Sequence, residues 1–160
     1  MCLVIDTCCL ALVFEGDNKK HDKFIPVLKW ITEGKGRMIY GGTKYDKELG
    51  KTIKILRIVG ELRRASRAIH LEAAQVDPIA NALKAKCPEP EFDDEHIVAL
   101  VLASRCCVVC TDDKTAMHYL GRVDLFRDHG VARPKIYKGH KDHRKLCCDK
   151  HVVGICRGAV

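Results

Sequence analysis

Several acidic residues of this 160-residue chain fall where carboxylates can meet. Asp6 follows the apolar run Leu3-Val4-Ile5. Asp112 and Asp113 follow Val108-Val109-Cys110, and Asp94 opens the helical stretch that feeds that run. Taken singly, each has an ordinary use: Asp93, Asp94, Asp112 and Asp113 all suit helix caps. Asp6 is harder to explain that way. It lies between CLVI and CCLALVF, where a purely structural chain favours a residue that cannot ionise. Carboxylates buried near one another are costly unless a cation neutralises them. A cluster of oxygen donors is what a hard divalent ion takes, and Mg2+ and Mn2+ both bind in this way while keeping several waters.

The elements that must position these acids follow from the apolar pattern. Residues 2–5 form a short continuous apolar run, as in a parallel strand buried on both faces. Residues 10–14 begin a helix, 15–22 a polar loop, and 24–31 a helix with Phe24, Val27, Leu28 and Ile31 on one face. Residues 37–40 read as a second strand, turned by Gly41-Gly42-Thr43 into one long helical stretch over 44–64. In that stretch Leu49, Ile53, Leu56 and Gly60 fall on one stripe, with Ile55, Val59 and Leu62 beside it, and Gly50 weakens or bends it. Residues 68–71 suit a short strand and 76–85 a helix with Asp77 as its cap and Pro78 in its first turn. After a Pro-broken loop come a helix over 93–104, a strand over 106–110, a helix capped by Thr111-Asp112-Asp113, and a last strand at 135–137. Strands that alternate with helices predict an α/β protein: a three-layer α/β/α sandwich with a mainly parallel central sheet. Open sheets of this kind place their sites at the carboxyl ends of strands, where Asp6 and Asp112-Asp113 fall.

Composition bounds the rest. The chain is 47% hydrophobic and 31% charged, with a net charge of +7, which excludes disorder and coiled coil. Apolar runs such as residues 8–14 are far too short to cross a membrane. The apolar start lacks a basic leader, carries Asp6 in its middle and has no small-residue cleavage site, so it reads as a buried strand and a cytoplasmic location is expected. In that setting the ten cysteines read as small hydrophobes rather than a disulfide framework, and Cys107 and Cys110 lie on opposite faces of a strand. Residues 1–138 form the expected domain and 139–160 a basic tail. The tail's His140, His143, Cys147, Cys148, His151 and Cys156 are zinc-ligand types at short spacings, but no familiar finger is completed, and a basic C-terminus with incidental thiols is the favoured reading.

Four stretches together resemble the PIN-domain family of metal-dependent ribonucleases, which includes VapC-like toxins. They are Leu3-Val4-Ile5-Asp6-Thr7, Tyr40-Gly41-Gly42-Thr43-Lys44-Tyr45-Asp46-Lys47-Glu48-Leu49, Asp93-Asp94-Glu95-His96-Ile97-Val98-Ala99-Leu100 and Val108-Val109-Cys110-Thr111-Asp112-Asp113, in the family's order. The resemblance implies catalytic acids at Asp6, Glu48, Asp94 and Asp113, with Asp112 able to share the fourth role. It implies Mg2+ or Mn2+ held by these carboxylates, hydrolysis of RNA by a metal-activated water, and Thr7 and Thr111 supporting the carboxylates. It also implies a possible role as the toxin of a toxin–antitoxin module, with a small antitoxin as partner, and a homodimer. Cys8 departs from the family, which has Asn or Ser there.

A phosphodiester substrate also accounts for the excess of positive charge. Lys44, Lys47, Lys51, Lys54 and Arg57 recur at steps of three and four, a basic stripe suited to RNA, although an ordinary solvated helix face has the same pattern. Tyr40, Tyr45 and Trp30 are expected to pack rather than stack on bases. A nucleophilic-Asp phosphatase would need a second acid at position 8, where Cys8 stands, and DTCCLA lacks the Gly-rich turn of a dinucleotide site. Two alternatives remain: a PIN-like module that binds RNA or protein without cleaving, and a zinc-binding interaction protein built on the tail.

Overall fold

The structure is a computed structural model that describes residues 2–148 and 154–157. Five strands, β1 (Cys2–Ile5), β2 (Arg37–Gly41), β3 (Ala68–Leu71), β4 (Val108–Cys110) and β5 (Lys135–Tyr137), form one all-parallel sheet in the order β3-β2-β1-β4-β5. The helices are α1 (Leu10–Phe14), α2 (Ile25–Thr32), α3 (Thr43–Leu49), α4 (Ile53–Arg64), α5 (Ala73–Lys86), α6 (Glu95–Ser104), α7 (Lys114–Leu120), α8 (Asp124–Arg127) and α9 (Gly154–Arg157). One layer joins α1, α2 and α4; the other centres on α6, which lies against β1 and β2 with α5 and α7 beside it. The fold is therefore the α/β/α sandwich expected. Every residue of β1 is buried, as are all those of β4, which is why both read as unbroken apolar runs. Tyr40, Tyr45 and Trp30 are core residues, as expected.

The strand order makes β1 and β4 neighbours although more than a hundred residues separate them. Winding from β1 proceeds outward through β2 and β3, then returns across the sheet to β4 and β5. The seam between β1 and β4 is thus the switch point at which connections diverge and a cleft opens. The register pairs Val4 with Val109 and Ile5 with Cys110, so Asp6 and Thr111 leave the sheet side by side. No helix among the described residues is long and apolar enough to cross a membrane.

Three expectations are corrected. The long stretch over 44–64 is two helices, α3 and α4, interrupted at residues 50–52. The break resets the helical phase, so α4 buries Ile55, Val59 and Leu62 while Ile53 and Leu56 face solvent at 66% and 45% exposure. The helix expected at 76–85 begins earlier, at Ala73, because Glu72 and Gln75 form a reciprocal capping box. Asp77 therefore does not cap its own helix. Its carboxylate accepts from the Thr43 N–H (3.0 Å) and hydroxyl (2.6 Å) and so closes the start of α3 from across the fold. Finally, not every cysteine is free. Cys2 and Cys156 are joined as a disulfide, with Cα atoms 6.2 Å apart, and the Arg37 guanidinium donates to the Cys156 carbonyl at 3.0 Å. Local pattern could not show this pairing, because it depends on the tail returning to the first strand.

Candidate active site

The turn after β1 supplies the most buried acid. Asp6 is 3% exposed. The Thr111 hydroxyl donates to Asp6 Oδ2 at 2.7 Å, and the Cys8 N–H approaches Oδ1 at 3.4 Å. Thr111, itself fully buried, also accepts from the Asp113 N–H at 3.1 Å. One hydroxyl thus ties the end of β1 to the end of β4 and fixes the Asp6 carboxylate without neutralising it. Burying a charge on neutral donors alone is costly, and a fold keeps such an arrangement only against some compensating gain.

Glu48 arrives from the other side on α3. The turn that starts this helix demands glycine: Gly41 and Gly42 have φ of +136° and +78°, and a Cβ on Gly41 would lie 2.0 Å from the Leu71 carbonyl oxygen. One turn before Glu48, the buried Tyr45 hydroxyl donates to the Ile5 carbonyl at 2.6 Å and pins α3 to the end of β1. Glu48 then accepts from the Thr7 hydroxyl at 2.6 Å. The His96 ring lies edge-on to Tyr45, with Nε2 3.5 Å from Glu48 Oε2.

Asp94 stands at the first position before α6 but its side chain caps nothing. Burial pushes its carboxyl up to about 7, reinforced by Asp6, Asp93 and Asp113 and opposed by Lys44. Asp113, rather than Asp112, belongs to this set. It also caps α7, Oδ1 accepting from the N–H groups of Thr115 (2.6 Å) and Ala116 (3.2 Å), so its ordinary structural use is real. Asp112 turns outward and pairs with Lys20 at 2.7 Å.

The basic stripe is corrected along with the helix that carried it. Lys44 and Lys47 lie on α3, Lys54 and Arg57 on α4, and Lys51 in the break between them. The Lys44 ammonium donates to the Asp93 carbonyl and pairs with Glu95 at 3.0 Å, and Lys54 pairs with Glu15 at 3.4 Å. Lys47, Lys51 and Arg57 are exposed. The structure instead brings Lys19 and Lys20 to the acids, along a cleft of about 680 Å3 that also reaches Cys8, Asp112 and Asp113. Sequence reasoning missed these lysines because they sit in a loop with no periodicity. It also missed His96 and Glu95. The available signal was a histidine two residues after Asp94, inside a helix otherwise buried on every side.

Four acids of the expected set therefore share one end of the sheet. Among the described residues, however, no three Asp, Glu, His or Cys side chains converge closely enough to form a finished metal cage. The same holds for the described part of the tail, where the His140 and His143 rings stand 5.6 Å apart; His151 lies outside the described residues. The donor set still fits a hard divalent ion by chemistry and charge. It offers carboxylate oxygens, a buried Asp6 with no cationic partner among the described residues, and an Asp94 whose ionisation burial and then the other acids oppose. Comparison of the chain with protein-family models, curated proteins and solved structures gave no match.

Proposed function

We propose that this chain is a metal-dependent ribonuclease of the PIN type, which hydrolyses RNA phosphodiester bonds. The observation that carries the reading is the grouping of Asp6, Glu48, Asp94 and Asp113 at the switch point, where, among the described residues, neutral groups are hydrogen-bonded to Asp6, Glu48 and Asp113. Mg2+ or Mn2+ held by these four residues would supply water activation and neutralise phosphoryl charge. The remaining work falls to the chain itself. Thr111 and Thr7 each hold one carboxylate oxygen and leave the other directed by that bond. Lys19 and Lys20 line the adjoining cleft, where they would take the RNA backbone. Contact with Cys9, above all, then burial and the charge of Asp6 push the Cys8 thiol up, which opposes its use as a nucleophile.

The test is incubation of purified protein with mixed RNA in Mg2+, Mn2+ or EDTA, beside Asp6→Asn, which keeps the size of the side chain and removes its charge. Cleavage that needs metal and disappears in the variant supports the proposal. Cleavage that survives Asp6→Asn refutes this site. RNA that is bound but never cut, in either metal, supports a non-cleaving RNA-binding module instead.

A further inference from the structure

His96 is a buried group of the site to which the proposed chemistry gives no task. It is 3% exposed and is the second residue of α6, ahead of an unbroken apolar run over 97–103. Among the described residues four buried side-chain nitrogens and oxygens have no hydrogen-bond partner, and both ring nitrogens of His96 are among them. Such atoms are rare, and each calls for an explanation. Packing alone is better served by an apolar side chain of similar size, which leaves nothing unsatisfied. The ring lies edge-on to Tyr45, whose hydroxyl is anchored on the Ile5 carbonyl at 2.6 Å. Nε2 stands 3.5 Å from Glu48 Oε2, a short movement away from a hydrogen bond that it does not make here.

Thr7 already donates to the same oxygen at 2.6 Å. Two groups from different elements, the turn after β1 and the first turn of α6, thus converge on Oε2, and Oε1 is the atom left to a cation. Their contributions to binding differ. An interaction adds to affinity only as far as it is stronger with the ligand bound. The Thr7 contact is already short, whereas the His96 contact is long and can still tighten, as such contacts commonly do when a site fills. A neutral imidazole carries one N–H, and a carboxylate beside Nε2 favours the tautomer that puts it there. We infer that His96 is a positioning residue: its Nε2–H closes onto Glu48 Oε2 when the carboxylates take a divalent cation, and it strengthens that binding without touching the cation. The inference rests on the metal site of the ribonuclease reading, but it requires neither RNA nor cleavage.

The test reads cation binding directly. Mn2+ is titrated into the full chain without RNA, and free Mn2+ is followed by its electron paramagnetic resonance signal. The wild type is compared with His96→Leu, which fills the space without an N–H, and His96→Gln, which restores an N–H near the place of Nε2. Asp6→Asn marks the binding that belongs to the acids. His96→Leu is expected to lose about tenfold in Mn2+ affinity, and His96→Gln to recover most of that loss. In EDTA the melting temperature of His96→Leu is expected to equal or exceed that of the wild type, because an apolar group replaces an unsatisfied one. A lowered melting temperature with unchanged Mn2+ affinity, the mark of a packing role, overturns the inference. So does a loss that His96→Gln does not repair, a wild type that binds no Mn2+, or binding that Asp6→Asn leaves intact. The two readings fail separately. Metal-dependent RNA cleavage with Mn2+ affinity unchanged in His96→Leu ends the positioning role alone. Mn2+ affinity lost in His96→Leu and restored in His96→Gln, with RNA left intact in either metal, ends the ribonuclease reading and keeps the positioning role.

Discussion

Asp94 offers the sharpest physical test, because the structure makes its charge a burden. In the unfolded chain an aspartate ionises near 3.8, whereas burial and the neighbouring acids push the folded group up to about 7. As pH rises between these values, the unfolded state releases its proton first and is favoured, so stability falls. Below about pH 4 both states are protonated and the effect vanishes; above about pH 7 the full penalty is present. The whole shift corresponds to roughly 4 kcal/mol at full strength, since one unit is about 1.4 kcal/mol. The carboxyl is only half-buried, and screening by solvent reduces the expected penalty to about 1–2 kcal/mol. Asp94→Asn removes the ionisation. In urea unfolding with EDTA, the variant is expected to match the wild type near pH 4 and to exceed its stability by about 1–2 kcal/mol near pH 8. The difference between the two proteins isolates Asp94 from the exposed acids such as Asp124 and Asp128, which titrate in both. A variant that is less stable than wild type near pH 8, or a difference that does not vary with pH, would refute the reasoning.

Three further outcomes follow from single contacts. Thr111→Val keeps the shape of the residue but strips buried Asp6 of its 2.7 Å donor and the Asp113 N–H of its acceptor, and a loss of about 1–3 kcal/mol is expected in denaturant unfolding. Gly42→Ala puts a Cβ 2.8 Å from the Val76 side chain at a φ of +78°, so a lowered melting temperature, equivalent to about 1–3 kcal/mol, is expected, with a smaller effect counting against the turn geometry. Peptide mapping without reductant is expected to recover Cys2 linked to Cys156, and Cys156→Ser to cost about 2–4 kcal/mol under the same conditions, because the link closes 154 residues of chain.

Much of the architecture was legible because period and burial agree. Residues 2–5 and 106–110 are apolar without alternation, and β1 and β4 are indeed buried throughout. The positions of Asp6 and Asp113 at strand ends followed directly from those runs. What failed had long-range causes. Nothing near Asp77 reveals that it serves Thr43 on another helix, and nothing near Cys2 reveals Cys156. The apolar periodicity over 44–64 seemed continuous because Ile53 and Leu56 extend it, yet both are exposed once residues 50–52 break the helix. His96 escaped notice for the opposite reason: a histidine within an apolar helix is commonly an ordinary core residue, and only the three-dimensional surroundings show its Nε2 beside the Glu48 carboxylate.

The distribution of countercharge argues most directly that the inner acids exist for use. The lysines near the switch point are not scarce, but they are spent on an outer ring: Lys20 on Asp112, Lys44 on Glu95 and Lys54 on Glu15. The inner acids receive neutral groups. Asp6 has the Thr111 hydroxyl, Glu48 the Thr7 hydroxyl, and Asp113 the backbone of α7. Asp94 feels Lys44 only as a weaker pull against burial and three acids. A chain selected for stability alone would place a cation inward, since a short movement of charge would relieve the buried Asp6 and the half-buried Asp94. This one holds its cations at the periphery and leaves uncompensated negative charge beside clefts open to a ligand, the arrangement expected when the missing positive charge arrives from solution.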